Sequence, residues 1–218
     1  MKNSFKIMLA VAMLFTATLS ANAQLRKKVN STRTPDRFHM GLRAGLTAST
    51  ITGDYTEDAK ALLFPYGGLG LDFQVAPIPL FVGIGLNYMN MGYKVEYNYN
   101  HKDETKTWDA HSIQMPITVK YHINLAPNLF LQPFLGPWFA YNLTDIDEEN
   151  KDWNDDRFDY GLRFGCGLNY GRLYFDCGYD LGLKNWYDRD GRYNNDKDYT
   201  INRGLLFVTI GFNWAGER

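Results

Sequence analysis

FDYGLRFGCGLNYGRLYFDCGYDLGLK, from Phe158 to Lys184, is two rows of residues interleaved. Phe158, Tyr160, Leu162, Phe164, Cys166, Leu168 and Tyr170 are apolar or aromatic; between them lie Asp159, Gly161, Arg163, Gly165, Gly167 and Asn169. Beyond Gly171 the alternation resumes, with Leu173, Phe175, Cys177, Tyr179, Leu181 and Leu183 against Tyr174, Asp176, Gly178, Asp180, Gly182 and Lys184. A period of two marks a strand with two unlike faces, and two such strands around a tight glycine turn make an antiparallel hairpin. Each strand is about a dozen residues, longer than the usual five or six. The polar row is half glycine, an odd choice for a face meant to meet water. Both features fit an apolar row that faces lipid and a small, polar row that fills a narrow lumen. Outer-membrane strands need about nine to eleven residues to cross the hydrocarbon.

Six further stretches alternate in the same way. Phe38 to Thr50 sets Phe38, Met40, Leu42, Ala44 and Leu46 against His39, Gly41, Arg43, Gly45 and Thr47. The others are about Tyr66 to Ala76, Leu80 to about Glu96, His111 to Ile123, Leu129 to Leu143, and Arg203 to Trp214. Pro116, in the middle of the fourth strand, predicts a bulge or a weak pairing. Connections after strands two, four and six are short. Those around Thr52 to Leu63, Asn98 to Trp108, Thr144 to Asp156 and Asn185 to Asn202 are long and polar. Short turns on one side, long loops on the other and an even strand number are the plan of an outer-membrane barrel. The expected fold is all-β, an eight-stranded antiparallel up-and-down transmembrane β-barrel over residues 38–218.

Composition agrees. Aromatics make up 16% of the 218 residues, with 15 Tyr and 14 Phe, a stock suited to the girdles at the two membrane–water interfaces. Residues 1–23 read as a secretory signal peptide: Lys2 and Lys6, an apolar run from Ile7 to Leu19, and the small-x-small end Ala21-Asn22-Ala23. The run is too short for a membrane helix. Its removal takes two of 23 basic residues and leaves 21 against 24 acidic, a net of −3, which is no footprint for nucleic acid. Residues 24–37, with Arg26, Lys27, Lys28, Arg33 and Arg37, have no period and read as a flexible periplasmic segment; contact with anionic lipid or a periplasmic partner is the alternative. Two cysteines exclude a disulfide framework.

IQMPITVKYHI (Ile113 to Ile123), LFLQPFLGPWFAY (Leu129 to Tyr141), FDYGLRFGCGLNYG (Phe158 to Gly171) and GFNW (Gly211 to Trp214) make nearly the whole mature chain resemble the small outer-membrane β-barrel proteins of Bacteroidetes, the PorT-like group. The resemblance implies an integral outer-membrane protein, in one member class associated with protein secretion machinery. It also implies that Phe212 and Trp214 belong to a C-terminal signal read by the barrel assembly machinery, although AGER follows here where the family pattern ends on the aromatic.

The inward row collects Arg43, Asp72, Lys120, Arg163, Asp176, Asp180, Lys184 and Arg203. Charges in a small lumen must pair, and Asp176 and Asp180 are expected to pair with bases on neighbouring strands, Arg163 being nearest by hairpin geometry. Eight strands enclose a space just wide enough for side chains, so a structural plug is expected and not a wide, porin-like pore. The inner glycines either open a small cavity or permit tight curvature. The acidic loop with Asp145, Asp147, Glu148, Glu149, Asp152, Asp155 and Asp156 lacks EF-hand spacing; no metal and no cofactor are expected. His111 stands next to Ser112, but adjacent strand residues point to opposite faces, and no catalysis is expected. A rim-sited lipid-modifying enzyme is one alternative and a soluble lipocalin-like ligand-binding barrel another. Cys166 faces Cys177 directly if the turn is Gly171-Arg172, diagonally if it is Tyr170-Gly171; two free thiols are the expected state. The expected role is structural or interaction-based, as a component of an envelope or secretion assembly. Its partners are outer-membrane lipid and lipopolysaccharide, the barrel assembly machinery, and a protein bound through the outer loops (Tyr187 to Tyr199 above all) or the basic N-terminal segment. The exported chain is expected to begin at Gln24, which N-terminal sequencing of the mature protein checks.

Overall fold

The computed structural model describes residues 38–53, 59–75, 78–99, 102–108, 110–144, 157–184 and 201–215. Their strands are β1 (Phe38–Gly53), β2 (Ala59–Lys60), β3 (Leu62–Gln74), β4 (Leu80–Asn90), β5 (Tyr93–Tyr99), β6 (Lys102–Trp108), β7 (His111–Tyr121), β8 (Ile123–Ala126), β9 (Leu129–Asn142), β10 (Phe158–Tyr170), β11 (Leu173–Gly182) and β12 (Ile201–Ala215). Eight of them form the wall, in the order β10-β11-β12-β1-β3-β4-β7-β9, and β9 pairs with β10 to close it. The short β8 continues β7 past a break at His122 and pairs with β9. The fold is a closed, eight-stranded, antiparallel β-barrel. Closure leaves the wall without an edge, which lipid demands because it offers backbone groups no partners.

The opening hairpin takes one of the two registers that its sequence left open. Tyr170 faces Leu173, so Gly171-Arg172 forms the turn. Gly171 has φ 60°, as the first central position of a type II′ turn requires. Asn128, with φ 66°, serves the turn into β9, and Asn tolerates that region better than most residues. The sense of the wall is apolar-out. Leu46 and Ile210 are each 60% exposed, while their neighbours Thr47 and Thr209 are 1% exposed.

Several boundaries differ from the sequence reading. The second wall strand starts at Leu62, not Tyr66, and the last at Ile201, not Arg203. The third ends at Asn90, not near Glu96. The segment read as a loop from Asn98 to Trp108 belongs to a hairpin: β5 pairs with β6 from Tyr93↔Trp108 to Tyr99↔Lys102, and β2 adds a third strand. Its charges concealed the alternation of Tyr93, Val95, Tyr97 and Tyr99 with polar residues. Around Pro116 the ladders are interrupted. Pairing of β4 with β7 steps from Ile84↔Ile117 to Asn87↔Gln114, and that of β7 with β9 from Pro116↔Trp138 to Val119↔Leu135. The signal peptide, the segment 24–37, the acidic residues 145–156 and the loop from Tyr187 to Tyr199 lie outside the described residues.

Several of the inner glycines neither hold an open cavity nor serve curvature alone; large side chains from neighbouring strands pack against them. A Cβ at Gly161 would sit 2.7 Å from the Trp138 ring, and one at Gly70 within 2.7 Å of the Arg43 guanidinium. Gly165 and Gly178 make room for Phe134 and Phe207 in the same way. Gly161→Val should therefore displace Trp138 and crowd the Leu181 carbonyl of β11, at a cost of at least about 1–3 kcal/mol, the usual range for overpacking. A lower urea midpoint, read by the heat-modifiable gel band of the folded barrel, checks this.

Candidate functional site

In an antiparallel ladder, directly opposed residues share a face. Arg163 on β10 therefore meets Asp180 on β11 inside the barrel. Arg163 Nε donates to Asp180 Oδ1 at 2.7 Å and Nη2 to Oδ2 at 2.6 Å, a two-pronged contact that suits the planar guanidinium. Gln114, from β7 across the lumen, completes a triangle: its Nε2 donates to Asp180 Oδ2 at 2.9 Å, and its Oε1 accepts from Arg163 Nη2 at 2.7 Å. The guanidinium also lies 4.3 Å over the Phe207 ring, a favourable seat for a cation.

A second group lies nearer the short turns. Arg43 Nε donates to the Tyr174 hydroxyl at 2.7 Å, which donates to the Leu42 carbonyl at 3.1 Å. Arg43 reaches Asp176 at 3.7 Å and Asp72 at 3.9 Å, and Asp72 holds Lys120 at 2.8 Å. A third group lies toward the long-loop end. Arg203 approaches Asp159 at 3.5 Å and Asn142 Oδ1 at 3.3 Å. Ser112 Oγ donates to the same Asn142 oxygen at 2.6 Å, and Lys184 donates to the Phe158 carbonyl at 2.6 Å.

All eight charges picked from the sequence point inward, in three tiers. One pairing expectation is corrected. Asp176 on β11 pairs with Arg43 on β1, one strand beyond its neighbour β12, because wall curvature lets a long arginine reach past the intervening strand. Asp159, Gln114, Asn142 and Tyr174 were missed. Each stands on the polar row of its strand, and searching that row for hydrogen-bonding partners as well as charges would have found them. The lumen is also less polar than its pattern implied. Tyr66, Met89, Met91, Ala110, Phe134, Trp138, Ala140, Leu205 and Phe207 form a contiguous buried cluster.

Four buried carboxylates thus face five cations among the described residues, and this pairing offsets the cost of holding charge away from water. The gap among Arg43, Asp72, Lys120, Asp176 and Thr209 leaves about 10 Å³ for the centre of a water, about the room one water needs. At the short-turn end, His122 stacks on Phe81 with centroids 3.9 Å apart, and His39 lies 5.8 Å from His122. Ser112 is fully buried, with the Ala110 carbonyl a second acceptor 3.0 Å from its Oγ, whereas His111 bonds the outward Tyr88 hydroxyl at 2.9 Å; serine and histidine stay apart. Cys166 faces Cys177 directly, and both thiols are free. Phe212 and Trp214 stand outward on β12, 44% and 41% exposed.

The Arg163–Asp180 pair gives a double-mutant test. Asp180→Ala strands a buried guanidinium and should cost about 3–5 kcal/mol. The paired change Arg163→Met with Asp180→Leu should recover most of that loss, since apolar replacement of a buried pair is often neutral. Urea unfolding of the barrel in lipid vesicles measures both.

A family model described as "Outer membrane protein beta-barrel domain" matches residues 22–188. No curated protein matches the chain. Among solved structures, the outer membrane protein OprG from Pseudomonas aeruginosa is 13% identical with a TM-score of 0.49, covering 84% of this chain and 98% of its own. Neisserial surface protein A is 12% identical with a TM-score of 0.42, covering 80% and 97%. Ail, the attachment invasion locus protein of Yersinia pestis, is 12% identical with a TM-score of 0.42, covering 83% and 100%.

Proposed function

The chain belongs to the family of outer membrane protein β-barrel domains, and from that premise we propose that it is a non-conducting, non-catalytic scaffold of the outer membrane that works through its outer surfaces in an envelope or secretion assembly. The observation that carries this reading is the filled lumen. Interlocked side chains leave about 10 Å³ between the lower and middle tiers, against the open channel of larger porin-type barrels. A barrel filled in this way would act at its rims. On a rigid barrel the loops are the natural place for contacts, and β2, β5 and β6 extend the wall into a small sheet of their own.

The buried Ser112 and the outward His111 support a role without nucleophilic chemistry, because a nucleophile needs its base within hydrogen-bond reach. Membership of the PorT-like group of Bacteroidetes is part of the proposal, carried by IQMPITVKYHI, LFLQPFLGPWFAY and GFNW. So are contacts with lipopolysaccharide and with the barrel assembly machinery, the latter through Phe212 and Trp214.

Two measurements test the reading. In planar lipid bilayers the purified barrel should give no unitary current steps; steady single-channel steps would overturn the non-conducting claim. Affinity purification from a mildly solubilised outer-membrane fraction should recover a stoichiometric protein complex. Recovery of the barrel alone, monodisperse and active in no complex, would overturn the assembly role.

A further inference from the structure

Cys166 and Cys177 stand directly opposite each other on the outward row of the β10–β11 hairpin. The Gly171-Arg172 turn puts them there. Tyr170 and Leu173 close that two-residue turn as its hydrogen-bonded pair. Such pairs recur at every second position of an antiparallel ladder, so Leu168↔Phe175 and then Cys166↔Cys177 are of the same kind. The Cα atoms of a hydrogen-bonded pair lie about 5.5 Å apart, and about 5.5–6 Å is the commonest separation across a disulfide. A diagonal pair, at roughly 7–8 Å, would be out of reach.

Both thiols are free in the structure. Cys177 Sγ already leans across to β10, 3.6 Å from the Cys166 carbonyl oxygen, while Cys166 Sγ lies 3.9 Å from the Gly167 carbonyl oxygen. A staggered turn about the Cα–Cβ bond of Cys166 swings its sulfur toward Cys177 with the backbone in place. The surroundings are apolar or aromatic on every side. Along the outward rows Phe164 and Tyr179 pack at 5.8 Å on one side, and Leu168 and Phe175 stand exposed on the other. Across the ladders Cys166 faces Pro133 on β9, and Cys177 faces Val208 on β12. The pair therefore lies within the lipid-facing belt.

We propose that Cys166 and Cys177 are a modification site, oxidised to a cross-strand disulfide while the chain is still in the periplasm and then sealed by the membrane. An outer-membrane barrel reaches its destination through the periplasm, where disulfides form and persist. The oxidant is a thiol–disulfide oxidoreductase in its disulfide form. One cysteine attacks its S–S bond as a thiolate, and the other attacks the resulting mixed disulfide. One S–S bond forms between Cys166 and Cys177, and the oxidant's own S–S bond breaks. The oxidant leaves as a dithiol, with the two electrons and two protons. Reversal requires a thiolate to reach the bond, and hydrocarbon solvates no such charge. Insertion thus fixes the state acquired before it. The bond ties together the two strands that carry Arg163 and Asp180, whether or not the barrel joins an assembly.

Thiol trapping tests it. Cells are lysed in excess N-ethylmaleimide, and the full-length mature barrel is unfolded in urea with the reagent present and weighed intact. No maleimide should be added, and reduction before trapping should give two adducts. Peptide mass spectrometry should find the segments around Cys166 and Cys177 linked and two hydrogens lighter than the free peptides. In the folded barrel in lipid vesicles, the charged reductant tris(2-carboxyethyl)phosphine should leave the link intact, and after urea unfolding it should cleave it. Two adducts on the wild-type barrel without reductant overturn the disulfide. Cleavage in the folded barrel overturns the sealing. Cys177→Ser should take one maleimide without reductant; none would overturn the pairing, and the wild-type result stands even if this variant fails to fold.

Discussion

Hydrocarbon offers a peptide group nothing to bond to, and every other feature of this barrel answers to that constraint. Strands must pair on both sides, so the wall closes through β9 and β10. Closure at eight strands makes the interior narrow. Narrowness then dictates which side chains the inner row can carry. It leaves little room for water around charges, so carboxylate and cation must come within direct reach, as Asp180 and Arg163 do at 2.6 Å.

Glycine and large side chains are two halves of one packing solution. Where the inner row carries Trp138, Arg43, Phe134 or Phe207, the adjacent strand carries glycine, and the large group lies against bare backbone. The barrel is thus filled by few, bulky groups anchored at one end. Arg43 can run from β1 over Gly70 to Asp72 and reach Asp176 on β11 as well. The three tiers are held together by such reaches and by shared acceptors, for example Asn142 Oδ1 between Ser112 and Arg203.

The long-loop end departs from the regular wall. β3 and β4 part above Gly67 and Tyr88, and the chain after Asn90 turns inward so that Met89, Asn90, Met91 and Gly92 are all buried in succession. A strand in the wall would expose every second one of these. The apolar cluster of Tyr66, Met89, Met91 and Leu205 belongs to this end, which is why the lumen is not the polar shaft its alternation implied. The same inward turn brings Gly92 to Ser49 on β1.

Local chemistry made most of the fold legible in the sequence. A period of two is written residue by residue, so the eight strands, their facing and the inward position of all eight chosen charges follow from it, while the choice of Gly171-Arg172 over Tyr170-Gly171 as the turn needed the structure. Asp180 with Arg163 was legible too, because hairpin register is set by its turn. Boundaries were less so. Charges in β6 hid a strand, and nothing local announces that β4 leaves the wall at Asn90. The partner of Asp176 and the roles of Gln114 and Asn142 were decided by tertiary structure alone. Each depends on which residues of non-adjacent strands the closed wall brings within reach. The sequence determines what each residue must face, lipid or lumen; only the closed wall decides whom it meets there.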